Sequence, residues 1–266
     1  MLMSKRSRFL TILFIIMLTA ALLSGCSQNQ SEKSPDTSQP AKPDETIKIG
    51  TIGPLTGNIA TYGLSTKNGV EIAVEEFNQN GGINGKPIKL ISEDTRGEQT
   101  EAANAASKLI EQDKVVAIVG GVISSETLTA GPIANDAKVV MISSSSTAAG
   151  VPEIGDYIFR NCLSDEVQAI QLAEYAVKEL GLKKFAIMFT NNDYGLSLKE
   201  AFEAKAKELA GITAIETYND GEKDFRAQLT KIKGTNPDAL YIAGYYTEAA
   251  KIAQQAKDQG LNAQIL

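Results

Sequence analysis

Short apolar segments alternate with longer amphipathic segments from Thr46 onward, and this alternation limits the folds open to the chain. Residues 115–119 are apolar at every position, as expected for a parallel strand that is covered on both faces. Residues 64–80 instead repeat apolar side chains at helical spacing, and Gly81-Gly82 ends the segment. Strands that alternate with helices predict an α/β fold, with parallel sheets flanked by helices.

The pattern occurs in two blocks that meet near Ser164, which predicts two Rossmann-like lobes, residues 46–164 and 165–266. The predicted strands are 47–52, 88–92, 115–119, 139–143, 185–190, 213–218, 239–243 and the start of another at 264–266. The predicted helices are 64–80, 98–112, 126–136, 165–180, 196–210, 224–233 and 247–259. Because ligands of open α/β sheets bind beyond the carboxyl ends of strands, we expect site residues in the loops that follow strands.

The first 45 residues have the composition of a targeting segment followed by a spacer, and not that of a folded domain. A cationic start is followed by an apolar run at 9–23 and by Leu23-Ser24-Gly25-Cys26, which resembles the lipobox of bacterial lipoproteins. Residues 1–25 are therefore predicted to be a lipoprotein signal peptide and Cys26 the lipidated residue. The alternative is an ordinary secretory signal in which the cysteine is incidental. Residues 26–45, rich in Ser, Gln, Pro, Asp and Lys, predict a flexible tether.

The composition argues against several classes of function. The chain carries a formal net charge of −6 without a basic cluster, which disfavours nucleic acid as a partner. It has no histidine, and besides Cys26 its only cysteine is Cys162. Histidine-dependent catalysis, histidine metal sites and an internal disulfide are thus excluded. We expect no cofactor, no metal site and no enzyme activity, although catalysis by carboxylates, Lys or Tyr stays open.

Several strings, in their order and spacing, resemble the branched-chain amino-acid (leucine/isoleucine/valine) binding proteins of ABC importers. The strings are IKIGTIGPLTGNIATYG from Ile47, GGINGKPIKL from Gly81, DYG from Asp193, KDF from Lys223 and PDALYIAGYYTEAAKIAQQAKDQGL from Pro237. The resemblance covers the chain from Thr46 to its last residue. It implies the type I periplasmic binding fold, in which two hinged lobes close on an amino acid.

The resemblance also implies six ligand contacts. Tyr62 would line the cleft, and Ser124 would hold the ligand carboxylate. Ser145 and Thr147 would bind the ligand backbone through main chain and hydroxyl. Tyr194 and Tyr245 would be aromatic contacts from the second lobe.

Structural roles compete with these contacts. Residues 143–147 could be a solvated polar loop, and Ser124 and Ser125 could simply cap the following helix. Tyr194 and Tyr245 could be packing residues, and Tyr246 is ambiguous in the same way. Asp193 and Asp224 are candidate helix caps.

The function implied is that of an exported, lipid-anchored binding protein on the outer face of the cytoplasmic membrane. Its partners would be an amino acid, an ABC permease and, through the lipid, the membrane. A sensory ligand-binding module of a receptor is the alternative, and an amidase-like enzyme is a third class.

Members of the family continue beyond the position of Leu266, so we expect the second lobe and the hinge to be incomplete in this sequence. The acidic residue that pairs with the ligand's amino group in the family has no counterpart here, and we expect this chain alone to bind poorly or not at all. The serine-rich loop 143–146 also leaves room for a polar amino acid, an amide or another small carboxylate.

Overall fold

The computed structural model describes residues 46–266, and the signal peptide, Cys26 and the tether predicted from the sequence lie outside this range. Within it, apolar strands form two separate parallel sheets. The first has the order β2-β1-β3-β4-β5. Its strands are β1 (Ile47–Gly53), β2 (Ile88–Asp94), β3 (Ala117–Gly120), β4 (Val140–Ser143) and β5 (Ile158–Arg160).

The second sheet has the order β7-β6-β8-β9, and again every neighbouring pair is parallel. Its strands are β6 (Lys184–Thr190), β7 (Gly211–Tyr218), β8 (Ala239–Ala243) and β9 (Gln264–Ile265). The described chain passes from one sheet to the other through residues 161–164. The sheet β1–β5 and its helices form the first lobe, and the sheet β6–β9 and its helices form the second lobe.

Seven α-helices connect the strands of the described part of the chain. The first lobe holds α1 (Ala60–Gln79), α2 (Gln99–Lys108, continued by a π-helical turn at Leu109–Asp113) and α3 (Ser124–Asp136). The second lobe holds α4 (Asp165–Lys178), α5 (Asp193–Leu209), α6 (Arg226–Gly234) and α7 (Tyr246–Asp258). None of these helices combines the length and the apolar character that crossing a bilayer requires.

The strand β6 shows why both faces of the second sheet are covered. Side chains of a strand alternate between the two faces, so Phe185 and Ile187 face one way and Ala186 and Met188 the other. All four are fully buried. Phe185 and Ile187 pack against α4 and α5, whereas Ala186 and Met188 pack against α6 and α7. The first sheet is covered similarly, with α2 and α3 in one core cluster and α1 packed along β1 and β2.

The α/β architecture with parallel sheets is confirmed, but several helix boundaries predicted from the sequence were wrong. Helices α1, α3 and α5 begin four, two and three residues earlier than the predicted starts at 64, 126 and 196. Apolar periodicity identifies only the part of a helix that packs on the sheet, so it does not reveal a polar first turn. The helix predicted from Asp224 begins at Arg226, and the Asp224 carboxylate accepts hydrogen bonds from both the backbone N–H and the guanidinium of Arg226.

Candidate functional site

Four helices, α1, α3, α5 and α7, follow the carboxyl ends of strands, and residues at their N-termini line one crevice. Helix α3 starts four residues after β3 ends, and α5 and α7 each start three residues after β6 and β8. The crevice has a volume of about 380 Å³, part of it open to solvent. It is lined by Tyr62, Val122, Ile123, Ser124, Ser145, Thr147, Tyr194 and Tyr245. All six residues singled out in the sequence are thus brought together in one place.

Their local structure differs from the expected loops. Tyr62, Ser124 and Tyr194 lie in the first turns of α1, α3 and α5. The helices begin so close to the strand ends that the site residues fall inside them. Ser145 and Thr147 do lie in the irregular segment after β4, and Tyr245 directly precedes α7. The apolar lining by Val122 and Ile123 was missed, since nothing in a short apolar pair after a strand distinguishes lining from core.

A Tyr-Gly pair begins the helix that follows the first strand of each sheet, and it explains how both tyrosines reach the crevice. A Cβ on Gly63 would lie 2.1 Å from the carbonyl oxygen of Pro54, and one on Gly195 would lie 2.1 Å from that of Thr190. Only glycine permits so close an approach of a helix to the preceding chain. Tyr62 and Tyr194 are therefore held at the ends of their sheets.

The serine-rich loop after β4 is held in place by hydrogen bonds and is not merely a solvated segment. The hydroxyls of Thr127, Ser143 and Ser146 all donate to the carbonyl oxygen of Gly121, with Thr127 and Ser146 each 2.7 Å from it. Ser143 and Ser146 are completely buried. These bonds join the loop after β4 to the loop after β3, so Ser124 and Thr147 are held on a common support.

The hydroxyls that line the crevice differ in the hydrogen bonds that they make within the protein. Ser145 Oγ donates to the carbonyl of Val122 at 2.6 Å. Ser124 Oγ accepts from the backbone N–H of Ala148 at 3.2 Å, which leaves its own proton free to donate. Thr147 Oγ1 and Tyr245 Oη are buried and have no hydrogen-bond partner among residues 46–266. Buried polar groups normally have partners, so these two atoms point to a ligand.

Ser124 does not cap its helix, because Ile123 occupies that position. As the first residue of α3, Ser124 lies among N–H groups that have no acceptor within the helix. The N-terminus of a helix attracts anions through these groups and through the helix dipole. This end of the crevice is therefore suited to a carboxylate.

Tyrosines form the opposite wall. The rings of Tyr194 and Tyr245 stack with centroids 5.1 Å apart and an interplanar angle of 17°, and the edge of Tyr62 meets Tyr245 across the lobes at 6.1 Å. Burial raises the pKa of Tyr194 to about 12, so its hydroxyl is protonated at neutral pH. The wall offers apolar area with hydroxyl tips, which suits the side chain of a small amphipathic ligand.

Hydrogen bonds join the two lobes beside the crevice. Tyr246 Oη donates to the carbonyl of Asn58 at 3.0 Å and lies 3.2 Å from Thr61 Oγ1. Thr247 Oγ1 donates to the same carbonyl at 3.0 Å. We call Asn58, Thr61, Tyr246 and Thr247 the latch. Tyr246, ambiguous from the sequence, is thus an interlobe contact rather than a core residue, and it is 41% exposed.

A buried carboxylate supports the floor of the crevice. Glu126 is completely buried, and its Oε2 accepts from the backbone N–H groups of Val122, at 3.2 Å, and Ile123, at 3.5 Å. Its other oxygen accepts from the hydroxyl of Thr95. Burial raises the pKa of Glu126 to about 7, against the lowering effect of these bonds. Sequence reasoning missed Glu126, because a glutamate in the first turn of a helix is common.

The sequence of residues 46–266 matches the family described as periplasmic binding protein, and the chain belongs to that family. Among its relatives is an amino acid binding protein of Pseudomonas aeruginosa, 35% identical over 83% of this chain and 59% of the relative. The branched-chain amino acid transporter substrate-binding protein LivJ of Streptococcus pneumoniae, solved in complex with isoleucine, is 37% identical with a TM-score of 0.76. That match covers 83% of this chain and 63% of LivJ.

A third relative is a solute-binding protein of an ABC transporter from Rhodopseudomonas palustris, solved with 3,4-dihydroxybenzoic acid. It is 25% identical with a TM-score of 0.76, and the match covers 83% of this chain and 61% of that protein. The chain spans about three fifths of the length of these relatives. The type I periplasmic binding fold and the family resemblance predicted from the sequence are confirmed. Among residues 46–266 no group of carboxylates and cysteine is arranged to hold a metal ion.

The raised pKa of Glu126 predicts a pH-dependent stability. In the unfolded chain the pKa is near its ordinary value of 4.5, so between that pH and about 7 the folded state binds more protons. The contribution of Glu126 is therefore fully present below pH 4.5 and is lost as pH rises through 7. The wild-type free energy of unfolding should therefore fall by about 3 kcal/mol across this pH range because of Glu126, and Glu126→Gln should abolish that fall.

Urea unfolding at pH 5 and pH 8 measures this difference, with the exposed Glu166→Gln as the control for removal of a carboxylate. Relative to the wild type, Glu126→Gln should be more stable at pH 8 than at pH 5. An equal effect of Glu126→Gln at both pH values would show that the carboxyl group is ionised throughout.

Proposed function

We propose that the protein is an exported binding protein that captures an amino acid between its two lobes for an ABC permease and catalyses no reaction. The observation that carries this proposal is the crevice, which joins donors for a carboxylate in the first lobe to an aromatic wall in the second. Membership of the periplasmic binding protein family supports it. The absence of histidine supports a binding role over catalysis.

In this proposal the ligand carboxylate lies at the N-terminus of α3. Ser124 donates its free hydroxyl proton, and helix N–H groups supply further donors. A hydrogen bond to a charged group contributes roughly 1.5–3 kcal/mol, so three such bonds account for much of the roughly −8 kcal/mol of micromolar binding. Tyr194 and Tyr245 contact the side chain of the ligand. Tyr62 adds a contact from the first lobe, and Ser145 and Thr147 bind near the ligand backbone.

A branched-chain amino acid is the leading ligand. LivJ binds isoleucine and is more similar to this chain than is the relative that binds 3,4-dihydroxybenzoic acid. A mostly apolar lining by Val122, Ile123 and the tyrosines suits an aliphatic side chain.

We further propose that Cys26 is lipidated and that the protein is anchored on the outer face of the cytoplasmic membrane. The sequence Leu23-Ser24-Gly25-Cys26, after an apolar segment and before a polar tether, supports this. Two or more acyl chains on one residue anchor a protein firmly in a membrane. The tether at 26–45 would let the lobes reach a permease in the same membrane.

Isothermal titration with leucine, isoleucine, valine, glutamine and benzoate tests the function. We expect the aliphatic amino acids to bind most tightly, and Ser124→Ala to weaken binding about 10- to 100-fold through loss of a charged hydrogen bond. The matched control is Ser144→Ala, because Ser144 belongs to the same loop system but does not line the crevice. Tighter binding of benzoate than of any of the amino acids would refute the proposal.

The latch should stabilise the closed state without touching the ligand. Tyr246→Phe combined with Thr247→Val keeps both shapes and removes the two hydroxyl bonds to Asn58 together with the bond between Tyr246 and Thr61. Two bonds of about 0.5–1.5 kcal/mol each give an expected loss of affinity of about fivefold or more, mainly as faster dissociation. Stopped-flow dissociation measures it, and Tyr175→Phe on the exposed face of α4 is the control. An unchanged dissociation rate would mean that the latch does not hold the closed state.

Lipidation is tested by growing the producing cells with labelled palmitate. Label should enter the wild-type protein and be absent from Cys26→Ala, while Cys162→Ala should keep it. Label that persists on Cys26→Ala would exclude Cys26 as the modified residue.

A further inference from the structure

Tyr245 belongs to the second lobe, but it is buried against the first. It is 6% exposed and forms one apolar cluster with Ile59 and Ile123, which follow β1 and β3. The completely buried carboxylate of Glu126 accepts from the backbone N–H of Ile123 at 3.5 Å. Its negative charge acts on the Tyr245 hydroxyl, whose pKa lies well above its usual value, chiefly through burial. The second lobe therefore forms part of the low-dielectric surroundings of a first-lobe carboxylate.

The charges around Glu126 do not favour its ionised form. Burial raises its pKa to about 7, and the negative charge of Asp94 acts in the same direction. Arg96, which directly follows Thr95, pairs with Glu101 at 2.9 Å. Residues 143–147, in the loop after β4, carry no charge. The charged residues that line the adjoining cleft beside Tyr245, from both lobes, are Arg96, Glu98, Asp220 and Glu248.

The surroundings of Glu126 also accommodate its neutral form. One carboxyl oxygen accepts from the N–H groups of Val122 and Ile123, and the other meets the hydroxyl of Thr95. A hydroxyl can donate or accept, so a protonated Glu126 can donate to Thr95 while its other oxygen keeps both N–H groups. Protonation therefore removes the charge and leaves the crevice floor in place.

A ligand carboxylate would be a second negative charge in the same helical turn. Ser124 is the first residue of α3 and Glu126 is the third. Two neighbouring like charges disfavour each other, so an ionised Glu126 opposes a carboxylate at this end of the crevice. The cover by Tyr245 acts in the same direction, because separation of the lobes would withdraw Tyr245 and admit water.

We propose that capture of an amino acid between the lobes takes up a proton on Glu126, so that the ligand binds more tightly at lower pH. Ligand and closure each raise the pKa of this carboxyl group. The linked affinity is fully present below the pKa of the open protein, and it is lost as the pH rises through the higher pKa of the closed, liganded protein. The inference rests on the proposed function, because it assumes that an amino acid carboxylate lies at α3.

Calorimetric titration with leucine at pH 6 and pH 8 tests the inference, because leucine keeps a net charge near zero over this range. One pKa unit between open and liganded protein corresponds to at most about tenfold in affinity, so we expect about three- to tenfold weaker binding at pH 8. Glu126→Gln should bind with the same affinity at both pH values, within about twofold. Glu166→Gln, the matched control on an exposed carboxylate of α4, should keep the wild-type ratio.

Two further measurements locate the proton. The ¹³C shift of the Glu126 carboxyl group, assigned by its absence in Glu126→Gln, should titrate near pH 7 without ligand and at higher pH with leucine bound. Titrations at pH 7 in two buffers with different heats of ionisation should show uptake of protons. Tyr245→Phe keeps the apolar cover and should keep the pH dependence, since the Tyr245 hydroxyl stays protonated throughout this range.

Three results would overturn the inference while leaving the proposed function intact. The first is equal affinity of the wild type for leucine at pH 6 and pH 8, and the second is an unchanged pH dependence in Glu126→Gln. The third is a Glu126 titration that leucine does not move. A protein that binds no amino acid at either pH also overturns the inference. Tighter binding of benzoate than of every amino acid would instead contradict the proposed function, and this inference with it.

Discussion

The site depends on one geometric constraint, which is that the carboxyl ends of parallel strands lie at the same edge of a sheet. A right-handed connection to the next parallel strand begins at that edge, so the N-termini of the following helices gather there. Two such edges face each other in this protein. Unsatisfied N–H groups of α3 and the tyrosines of α5 and α7 therefore meet in one crevice.

Much of this arrangement could be predicted from the sequence. The alternation of apolar and amphipathic segments indicated the two parallel sheets, and the strings ATYG and DYG marked the tyrosines that reach the crevice. The helix starts were predicted too late, because the first turns of α1, α3 and α5 are polar or glycine-containing and carry no apolar period. The residues of these turns line the crevice instead of packing on the sheet, so they do not follow the apolar spacing of a packed helix. The six predicted residues share a crevice, and their contacts with a ligand are still predictions.

Other parts of the site could not be predicted. Glu126 and Asp165 are ordinary first-turn acids in the sequence, and only three-dimensional burial reveals that one holds two loop amides and the other has no partner within the described residues. The latch joins residues almost 190 positions apart in the chain. Its acceptor is the carbonyl of Asn58, and a backbone acceptor leaves no trace in residue identity. Such interactions depend on the distance between lobes, which no local pattern encodes.

The latch and the crevice both lie between the two lobes, and their contacts together determine how strongly the lobes associate. An aromatic wall from one lobe meets donors from the other, but the three latch hydrogen bonds, the ring contacts of Tyr62 and the contact of Tyr245 with Ile59 and Ile123 are few for an interface between lobes. A few neutral hydrogen bonds, each with a small net stabilisation, do not by themselves make closure strongly favourable. Under the proposed function, a ligand that bonds to both walls would add the missing free energy, because it would interact more strongly with the closed state than with an open one. The Thr147 and Tyr245 hydroxyls have no partner within residues 46–266, and they fit this view because, under the proposed function, a ligand would supply their hydrogen bonds.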